Sequence, residues 1–217
     1  MRKLLKIFFH YFYHELAWTY DFVAALVSVG RWEHWRKAIL AHTRGPRVLE
    51  IGFGTGHLQV ELSRSSFVSF GLDESRQMAQ IALTNMARNR VAPALSCGLA
   101  QALPFAAHSF DGAVITFPSE YIFDVRSLAE LQRVMKPSGR LVMVPMAWIT
   151  GKTVLDRAAK WLFLFTGQTE NIAENLEDKF RLFFQQAGFQ VTIVNELVEN
   201  SIVMVIIAEI PSDTLET

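Results

Sequence analysis

Short apolar runs alternate with amphipathic stretches through the middle of the chain. Apolar runs of about four to eight residues between turn residues predict buried strands, whereas apolar residues repeated every third or fourth position predict helices. Regular alternation of the two patterns is typical of a parallel sheet that is covered by helices on both faces. The pattern therefore predicts an α/β protein with a doubly wound sheet.

Five runs predict the parallel part of this sheet: residues 47–51, 67–72, 94–97, 110–116 and 140–146. Helices are predicted over residues 56–65, 74–90 and 125–135. Lys136-Pro137-Ser138-Gly139 should close the third of these helices, because proline cannot continue a helix and glycine tolerates positive φ. The strands and helices together predict three layers.

The last part of the chain predicts a different arrangement. A helix is expected over residues 176–187, followed by strands over residues 189–197 and 201–209. The link Val198-Glu199-Asn200 is too short for a crossover, so these two strands should form an antiparallel hairpin. The prediction is a seven-stranded sheet, mostly parallel, with an antiparallel C-terminal hairpin.

The length of 217 residues fits one domain. We divide it into an N-terminal helical cap (1–45), a core that binds the ligand (46–146), an insertion that forms a lid (147–169), and a C-terminal helix and hairpin (170–210). Apolar residues make up 51% of the chain, which excludes extended disorder. The single cysteine, Cys97, excludes an internal disulfide and is expected on a buried strand in a reducing cytoplasm.

Charge is balanced over the whole chain but not at its N-terminal end. Lys+Arg and Asp+Glu number 21 each, which argues against nucleic acid as a partner. Lys6, His10 and His14 interrupt the first apolar run, so neither a signal peptide nor a transmembrane helix is favoured. We interpret this segment as an amphipathic helix that either makes a peripheral membrane contact or covers the active site.

A glycine-rich turn follows the first predicted strand. Glu50 precedes Gly52, Gly54 and Gly56, which are spaced by one residue each. Glycines let a ligand approach the backbone closely, and the next helix begins with free N–H groups. The dinucleotide fingerprint G-x-G-x-x-G would require a third glycine at His57, so the spacing argues against a nicotinamide-dependent oxidoreductase. A tight structural turn is the alternative.

Asp73 ends the second predicted strand. Its carboxylate can accept hydrogen bonds from both hydroxyls of a ribose, and the alternative is a helix N-cap.

The segment from Glu50 to Gly56 resembles motif I of the class I S-adenosylmethionine-dependent methyltransferases, E/D-x-G-x-G-x-G. Leu103-Pro104-Phe105 with Ser109-Phe110-Asp111, and the run LQRVMKPSGRL at 131–141, resemble the UbiE-like, type 11 group. The similarity spans residues 47–144. It implies a Rossmann-like fold and methyl transfer from S-adenosylmethionine.

The resemblance also implies roles for single residues. Gly52, Gly54 and Gly56 would line the methionine part of the cofactor, and Glu50 would orient its ammonium group. The ribose and adenine would be held by the following residues: Asp73, Glu74, Met78, Leu99 and Ala100. Met78 is equally well interpreted as a core residue. Two positions depart from the family: Leu99 stands where an acidic residue is usual, and Phe53 where a small residue is usual.

The acceptor side is predicted at the end of the fourth strand, because ligands bind outside the carboxyl ends of parallel strands. Thr116 and Phe117 would face the donor, and the residues that would contact the acceptor are Phe117, Glu120, Tyr121 and Trp148. Tyr20-Asp21 resembles the "YD" near the N-terminus of the family, where the tyrosine helps close over the donor, and Tyr20 is added to the substrate residues on that ground. The alternative is an aromatic residue on an amphipathic helix. The sequence lacks the N/D-P-P-Y/F motif of methyltransferases that act on nucleic acids. No catalytic residue and no metal ligand are assigned, because methyl transfer mainly requires alignment.

The aromatic N-terminal segment and insertion predict a small, lipophilic acceptor, such as a quinone precursor or a phospholipid head group. The alternative is that both segments form a lid over a small soluble substrate. A catalytically silent protein that binds S-adenosylmethionine or a partner is a further alternative, because Leu99 and Phe53 alter the pocket. Nothing in the sequence indicates the oligomeric state.

Overall fold

The computed structural model describes residues 32–150 and 170–212. Seven strands form one sheet in the order β3-β2-β1-β4-β5-β7-β6. The strands are β1 (Arg47–Ile51), β2 (Val68–Asp73), β3 (Leu95–Cys97), β4 (Phe110–Thr116), β5 (Met135–Ile149), β6 (Gln190–Val198) and β7 (Ser201–Glu209). The helices in the described ranges are α1 (Trp32–Lys37), α2 (His57–Arg64), α3 (Arg76–Arg88), α4 (Val125–Val134) and α5 (Glu170–Gln186), with 3₁₀ turns at Ala38–Ala41 and Glu120–Phe123.

The directions of the strands confirm the predicted fold class. Strands β1 to β5 pair in parallel, whereas β7 is antiparallel to both β5 and β6. From β1 the chain builds the sheet outwards to β2 and β3, and then returns to place β4 on the other side of β1. A crevice opens at such a reversal, outside the carboxyl ends of the two central strands. The candidate site should therefore lie at the ends of β1 and β4.

The core has two layers, one on each face of the sheet. Successive side chains of a strand point to opposite faces, and in β1 Leu49 and Ile51 enter one apolar cluster whereas Val48 enters the other. The second cluster includes Leu58 and Leu62 of α2. By this alternation Glu50 shares the face of Val48, which places a carboxyl group on an otherwise apolar face.

β5 is longer than predicted at both ends. Helix α4 ends at Val134, one residue before the predicted end, and Met135 already pairs with Phe110. The register then shifts, and Ser138, at φ +60°, lies within this irregular part of the strand. The turn residues therefore form a bulge within the strand and not a loop, because β5 pairs with β4 both before and after them.

At its other end β5 takes in the start of the predicted insertion. Ala147, Trp148 and Ile149 pair with Val203, Ile202 and Ser201 of β7. The strand that was predicted to end at Met146 therefore continues for three more residues. The rest of the segment, residues 151–169, lies outside the described residues, as do the N-terminal residues 1–31.

The C-terminal hairpin is confirmed with a tighter turn than predicted. Val198 pairs with Ser201, which leaves Glu199-Asn200 as a two-residue turn with Glu199 at φ +52°. Two-residue hairpin turns favour positive φ because their twist matches that of the strands. The remaining predicted elements agree with the structure to within two residues, except that α5 begins at Glu170, six residues before the predicted start.

Two further observations concern the exposure of the chain. Cys97, expected on a buried strand, is exposed at the end of β3, because β3 is the edge strand of the sheet. Among the described helices, none combines the length and the apolar character that are needed to span a bilayer.

The packing of α5 allows a first prediction. Phe184 is fully buried and makes edge-to-face contacts with Phe183 and Phe189. Phe184→Ala should lower the free energy of unfolding by about 3–5 kcal/mol, because it leaves a cavity. Leu182→Ala is the matched control, since Leu182 lies on the same helix and is 57% exposed. Urea denaturation measures both, and equal losses for the two variants would contradict the placement of α5.

Candidate functional site

The loop between β1 and α2 is built from left-handed glycines. Gly52, Gly54 and Gly56 have φ of +75°, +51° and +79°, a region that other residues adopt only at a cost. Gly52 N–H donates to the carbonyl of Leu72 at 2.7 Å, which continues the β1–β2 pairing into the loop. The sequence therefore requires glycine here to turn the chain directly from strand to helix.

The three glycines differ in what surrounds them. A Cβ at Gly56 would lie 2.8 Å from Ala82 Cβ, so this glycine allows α3 to pack against the loop. A Cβ at Gly54 would meet nothing within 4 Å. Gly54 thus presents bare backbone to an open space, as a cradle for a ligand does.

Asp73 holds this loop in place. Its Oδ2 accepts a hydrogen bond from Gly54 N–H at 2.8 Å, and its Oδ1 accepts one from Ser75 N–H at 2.8 Å. The N-cap of α3 itself is Ser75, whose hydroxyl accepts from Met78 N–H. Each carboxylate oxygen has two lone pairs, so a carboxylate such as that of the half-buried Asp73 can accept from several donors at once. Its ribose contact stays a prediction, whereas its structural contacts are observed.

Glu50 is almost fully buried, with 1% of its surface exposed. Its Oε2 accepts a hydrogen bond from Gln59 Nε2 at 2.7 Å. The pKa of the Glu50 carboxyl is raised to about 8: burial is the largest cause and the charge of Asp73 also raises it, while the hydrogen bond from Gln59 and the charge of Arg36 act in the opposite direction. A cationic group placed beside Glu50 would lower this pKa and pair with the carboxylate.

Phe53 and Met78 are both buried residues. The ring of Phe53 fills the space beside Gly71, where a Cβ would come within 2.8 Å of Phe53 Cδ1. Gly71 of β2, which has no side chain, therefore leaves room for the aromatic ring of Phe53. This contact assigns the side chain of Phe53 to the interior, and only its backbone borders the glycine loop. Met78 is buried on α3, which agrees with its interpretation as a core residue.

The ends of β2 and β3 carry the residues that were predicted around the adenine. Glu74 is exposed next to Asp73, and Gly98 N–H donates to the carbonyl of Asp73 at 3.0 Å. Leu99 follows with 54% of its surface exposed, whereas Ala100 is buried. An exposed leucine beside a candidate pocket offers an apolar surface where an acidic residue would offer a hydrogen-bond acceptor.

The end of β4 lies on the other side of the crevice. Thr116 is half-buried, and Phe117 follows with φ +48° while its N–H donates to the carbonyl of Val144 at 2.7 Å. Its ring centroid lies 6.3 Å from that of Trp35. Left-handed backbone is costly for a phenylalanine, and such residues often lie at functional sites.

Tyr121 closes the start of the glycine loop. Its hydroxyl donates to the carbonyl of Ile51 at 3.3 Å, and a Cβ at Gly52 would lie 3.0 Å from that hydroxyl. Trp148 is half-buried and packs against the same apolar cluster as Tyr121, while Glu120 is exposed. The predicted acceptor residue Tyr20 lies outside the described residues.

The sequence analysis missed two polar residues next to Glu50. Gln59 is buried in the first turns of α2, and Arg36 of α1 acts electrostatically on the Glu50 carboxyl. Neither residue is marked by a signal in the sequence. Gln59 is a single polar residue on the apolar face of α2, and Arg36 lies among other charged residues. Both become visible only when β1, α1 and α2 are brought together.

The arrangement combines an open backbone cradle, a buried carboxyl and a half-buried carboxylate at the reversal of the sheet. A ligand with a cationic group and hydroxyls fits this set of acceptors, because each of its polar groups finds a partner of opposite character. The observation that tests the fit is Gly54, where a side chain would occupy the open space.

Known proteins resemble the chain in both sequence and fold. Residues 3–187 match the ubiE/COQ5 methyltransferase family. The demethylmenaquinone methyltransferase of Tropheryma whipplei (strain Twist) is 30% identical over 200 residues, which cover 83% of this chain and 82% of the relative. The ubiquinone/menaquinone biosynthesis C-methyltransferase UbiE of Geobacter sulfurreducens is 31% identical over 141 residues, covering 61% of this chain and 55% of the relative.

Among solved structures, a SAM-dependent methyltransferase from Aquifex aeolicus has a similar fold. The TM-score is 0.59 at 18% sequence identity, and the match covers 83% of this chain and 92% of that protein. At this identity the likeness concerns the fold.

The pKa of Glu50 predicts how stability depends on pH. The folded protein retains a proton on Glu50 that the unfolded chain loses near its ordinary pKa of 4.5, so stability falls as the pH rises from about 4.5 through about 8. Glu50→Gln cannot ionise and should gain roughly 4 kcal/mol over the wild type between pH 5 and pH 9. Urea denaturation at both pH values checks this, and a constant difference would contradict it.

The loop predicts a contrast between two glycines. Gly54→Ala should cost about 1–2 kcal/mol of unfolding free energy, because alanine must adopt the left-handed region without any clash. Gly56→Ala should cost roughly 3 kcal/mol or more, because its Cβ also collides with Ala82 of α3. Thermal unfolding of the two variants provides the comparison. A greater loss for Gly54→Ala would mean that the loop is packed differently.

Proposed function

The chain belongs to the ubiE/COQ5 methyltransferase family, and on that premise we propose which residues hold its methyl donor, S-adenosylmethionine, and which acceptor it serves. When bound, the donor supplies a methyl group on a positively charged sulfur to a nucleophile.

The donor is held, in this proposal, by the glycine loop and the two acidic residues beside it. Gly54 leaves room for the methionine part, Glu50 pairs with its ammonium group, and Asp73 accepts from the ribose while it continues to hold the loop. Adenine would lie against the exposed Leu99 and the backbone of Ala100. The observation that carries this assignment is the open space at Gly54, whose N–H is held by Asp73.

The acceptor in this proposal is a lipophilic quinone precursor. The names of the relatives point to such substrates, and the sequence predicted a lipophilic acceptor from its aromatic segments. Near the end of β4, the half-buried Tyr121 and Trp148 pack against one apolar cluster, and the half-buried Phe117 packs against the cluster on the other face of the sheet. Flat aromatic side chains suit a flat quinoid ring. The comparisons give no support to a catalytically silent binding protein.

The residues of the chain contribute positioning more than chemistry. Tyr121 is anchored on the carbonyl of Ile51, next to the donor loop, so an acceptor packed against its ring would lie beside the donor. Aligning two reactants and excluding water can supply most of the acceleration of a displacement reaction. Glu120 is exposed near this surface and is the nearest predicted carboxylate for an acceptor that must lose a proton.

The surroundings of the acceptor stay at the level of prediction. Tyr20 and the insertion would complete the acceptor surface, and the N-terminal segment would allow peripheral contact with a membrane that holds lipophilic quinones. In a flotation assay with vesicles that contain anionic lipids, recovery of the protein only in the aqueous fraction would count against this contact.

Binding of the donor gives a direct test. Asp73→Ala should weaken binding of S-adenosylmethionine by at least about tenfold, because it removes the ribose acceptor and releases the loop. Asp111→Ala is the matched control: Asp111 also accepts a backbone N–H, from Arg47, but at the amino-terminal ends of β1 and β4, away from the glycine loop. Calorimetry on the wild type and both variants measures the affinities, and equal losses would contradict the assigned site.

The acceptor needs a separate experiment. Transfer of a labelled methyl group should be observed with a demethylated naphthoquinol and not with phosphatidylethanolamine in vesicles. Transfer to the phospholipid alone would contradict the proposed acceptor but not the donor site.

A further inference from the structure

Gln59 is an unusual residue to find in the interior beside the glycine loop. It lies in the first turns of α2 and is 0% exposed. Its Nε2 donates to Glu50 Oε2 at 2.7 Å and to the carbonyl of Phe70 at 3.2 Å. Its Oε1 is buried without a hydrogen-bond partner among the residues that the structure describes. Because an unpaired buried oxygen is costly, packing alone does not explain a glutamine here.

The orientation of the Gln59 amide is fixed by its two neighbours. The Phe70 carbonyl and the Glu50 carboxyl oxygen both face the same nitrogen, and only an N–H group can satisfy them. A neutral carboxyl would need an acceptor for its own O–H, whereas a carboxylate accepts from N–H. The amide of Gln59 therefore favours the ionised form of Glu50 and fixes the orientation of its carboxylate.

Other groups act on Glu50 from the surrounding elements. Arg36 of α1 favours the carboxylate, whereas Asp73 at the end of β2 and burial itself favour the neutral form. Gln59 is the side-chain hydrogen-bond donor to Glu50 within the described part of the chain. Without its amide, burial would be opposed by the charge of Arg36.

We propose that Gln59 is a positioning residue for cofactor recognition, which keeps the Glu50 carboxyl group in place and stabilises its carboxylate form for pairing with the ammonium group of the donor. This inference rests on the proposed donor site, in which Glu50 pairs with that ammonium group. Gln59 itself contacts neither the donor nor the acceptor in this assignment. It acts through Glu50, so its effect should be specific for ligands that carry the ammonium group.

The proposal has a consequence for pH. With a pKa of about 8, Glu50 is mostly protonated at neutral pH in the free protein and must release its proton when the cation binds. Affinity should therefore fall as the pH drops below about 8. Without Gln59 the pKa of Glu50 rises further, so the loss of affinity should be large at low pH and smaller at high pH.

Two ligands separate this role from a general structural one. S-adenosylhomocysteine carries the ammonium group, whereas 5′-methylthioadenosine retains the adenosine and the sulfur but lacks it. Gln59→Leu should bind S-adenosylhomocysteine about tenfold more weakly than the wild type at pH 6.5 and less than about threefold more weakly at pH 9. Its binding of 5′-methylthioadenosine should be unchanged. Because affinities are compared with the wild type at each pH, titration of the ligand's own amine cancels.

The matched control is Gln132→Leu. Gln132 of α4 also donates an amide hydrogen bond, to the carbonyl of Ala187, and its loss should change neither affinity. Should Gln59→Leu fail to fold, Gln59→Asn keeps an amide but shortens its reach and should shift affinity in the same direction. In the background of Glu50→Gln, replacement of Gln59 should have no further effect on S-adenosylhomocysteine.

The outcomes separate this inference from the proposed function. Calorimetry that shows equal weakening of both ligands at both pH values would overturn the positioning role and leave the donor site standing. A wild type that binds neither ligand would overturn the proposed donor site itself. Selective, pH-dependent loss with S-adenosylhomocysteine would establish the role of Gln59.

Discussion

The carboxylate of Asp73 is the contact on which the site depends. One oxygen holds Gly54 in the loop after β1, and the other holds Ser75 at the start of α3. Charge-assisted hydrogen bonds to backbone N–H groups are stronger than neutral ones. This single side chain therefore fixes the left-handed glycines against β2, and it does so at the reversal of strand order, where the sheet leaves a crevice.

The buried Glu50 shows what the site costs the fold. It lies on the same face of β1 as Val48, a face covered by apolar residues of α2, where another apolar residue would be more stable. Burial of a carboxyl group with one hydrogen-bond donor is unfavourable, and the raised pKa expresses that cost. The left-handed backbone of Phe117 is a second unfavourable feature at the crevice, of a kind that is common at functional sites.

The sequence predicted the order and type of the elements well because periodicity and turn residues are local. The β1 and β4 strands were predicted to the residue, and the hairpin followed from its short link. The extension of β5 could not be predicted, because its irregular part and its last residues are strand only through pairing with β4 and β7. The glycine loop, Glu50 and Asp73 were recognisable by motif. Two features could not be recognised in this way: the packing of the Phe53 ring beside Gly71 and the hydrogen bond from Gln59 to Glu50. Both join residues that are separated along the chain.

The strand order also determines how the protein can be assembled on the ribosome. Strands β1 to β5 are complete by residue 149. On the side away from β4, however, β5 pairs with β7, which ends at Glu209. Until β7 emerges, the fifteen residues of β5 form an open edge with unpaired backbone groups. Pairing between segments so far apart closes slowly, so the nascent chain passes through a stage at which this edge is open to association with other chains. Chains truncated before residue 201 would retain the glycine loop and still carry that edge.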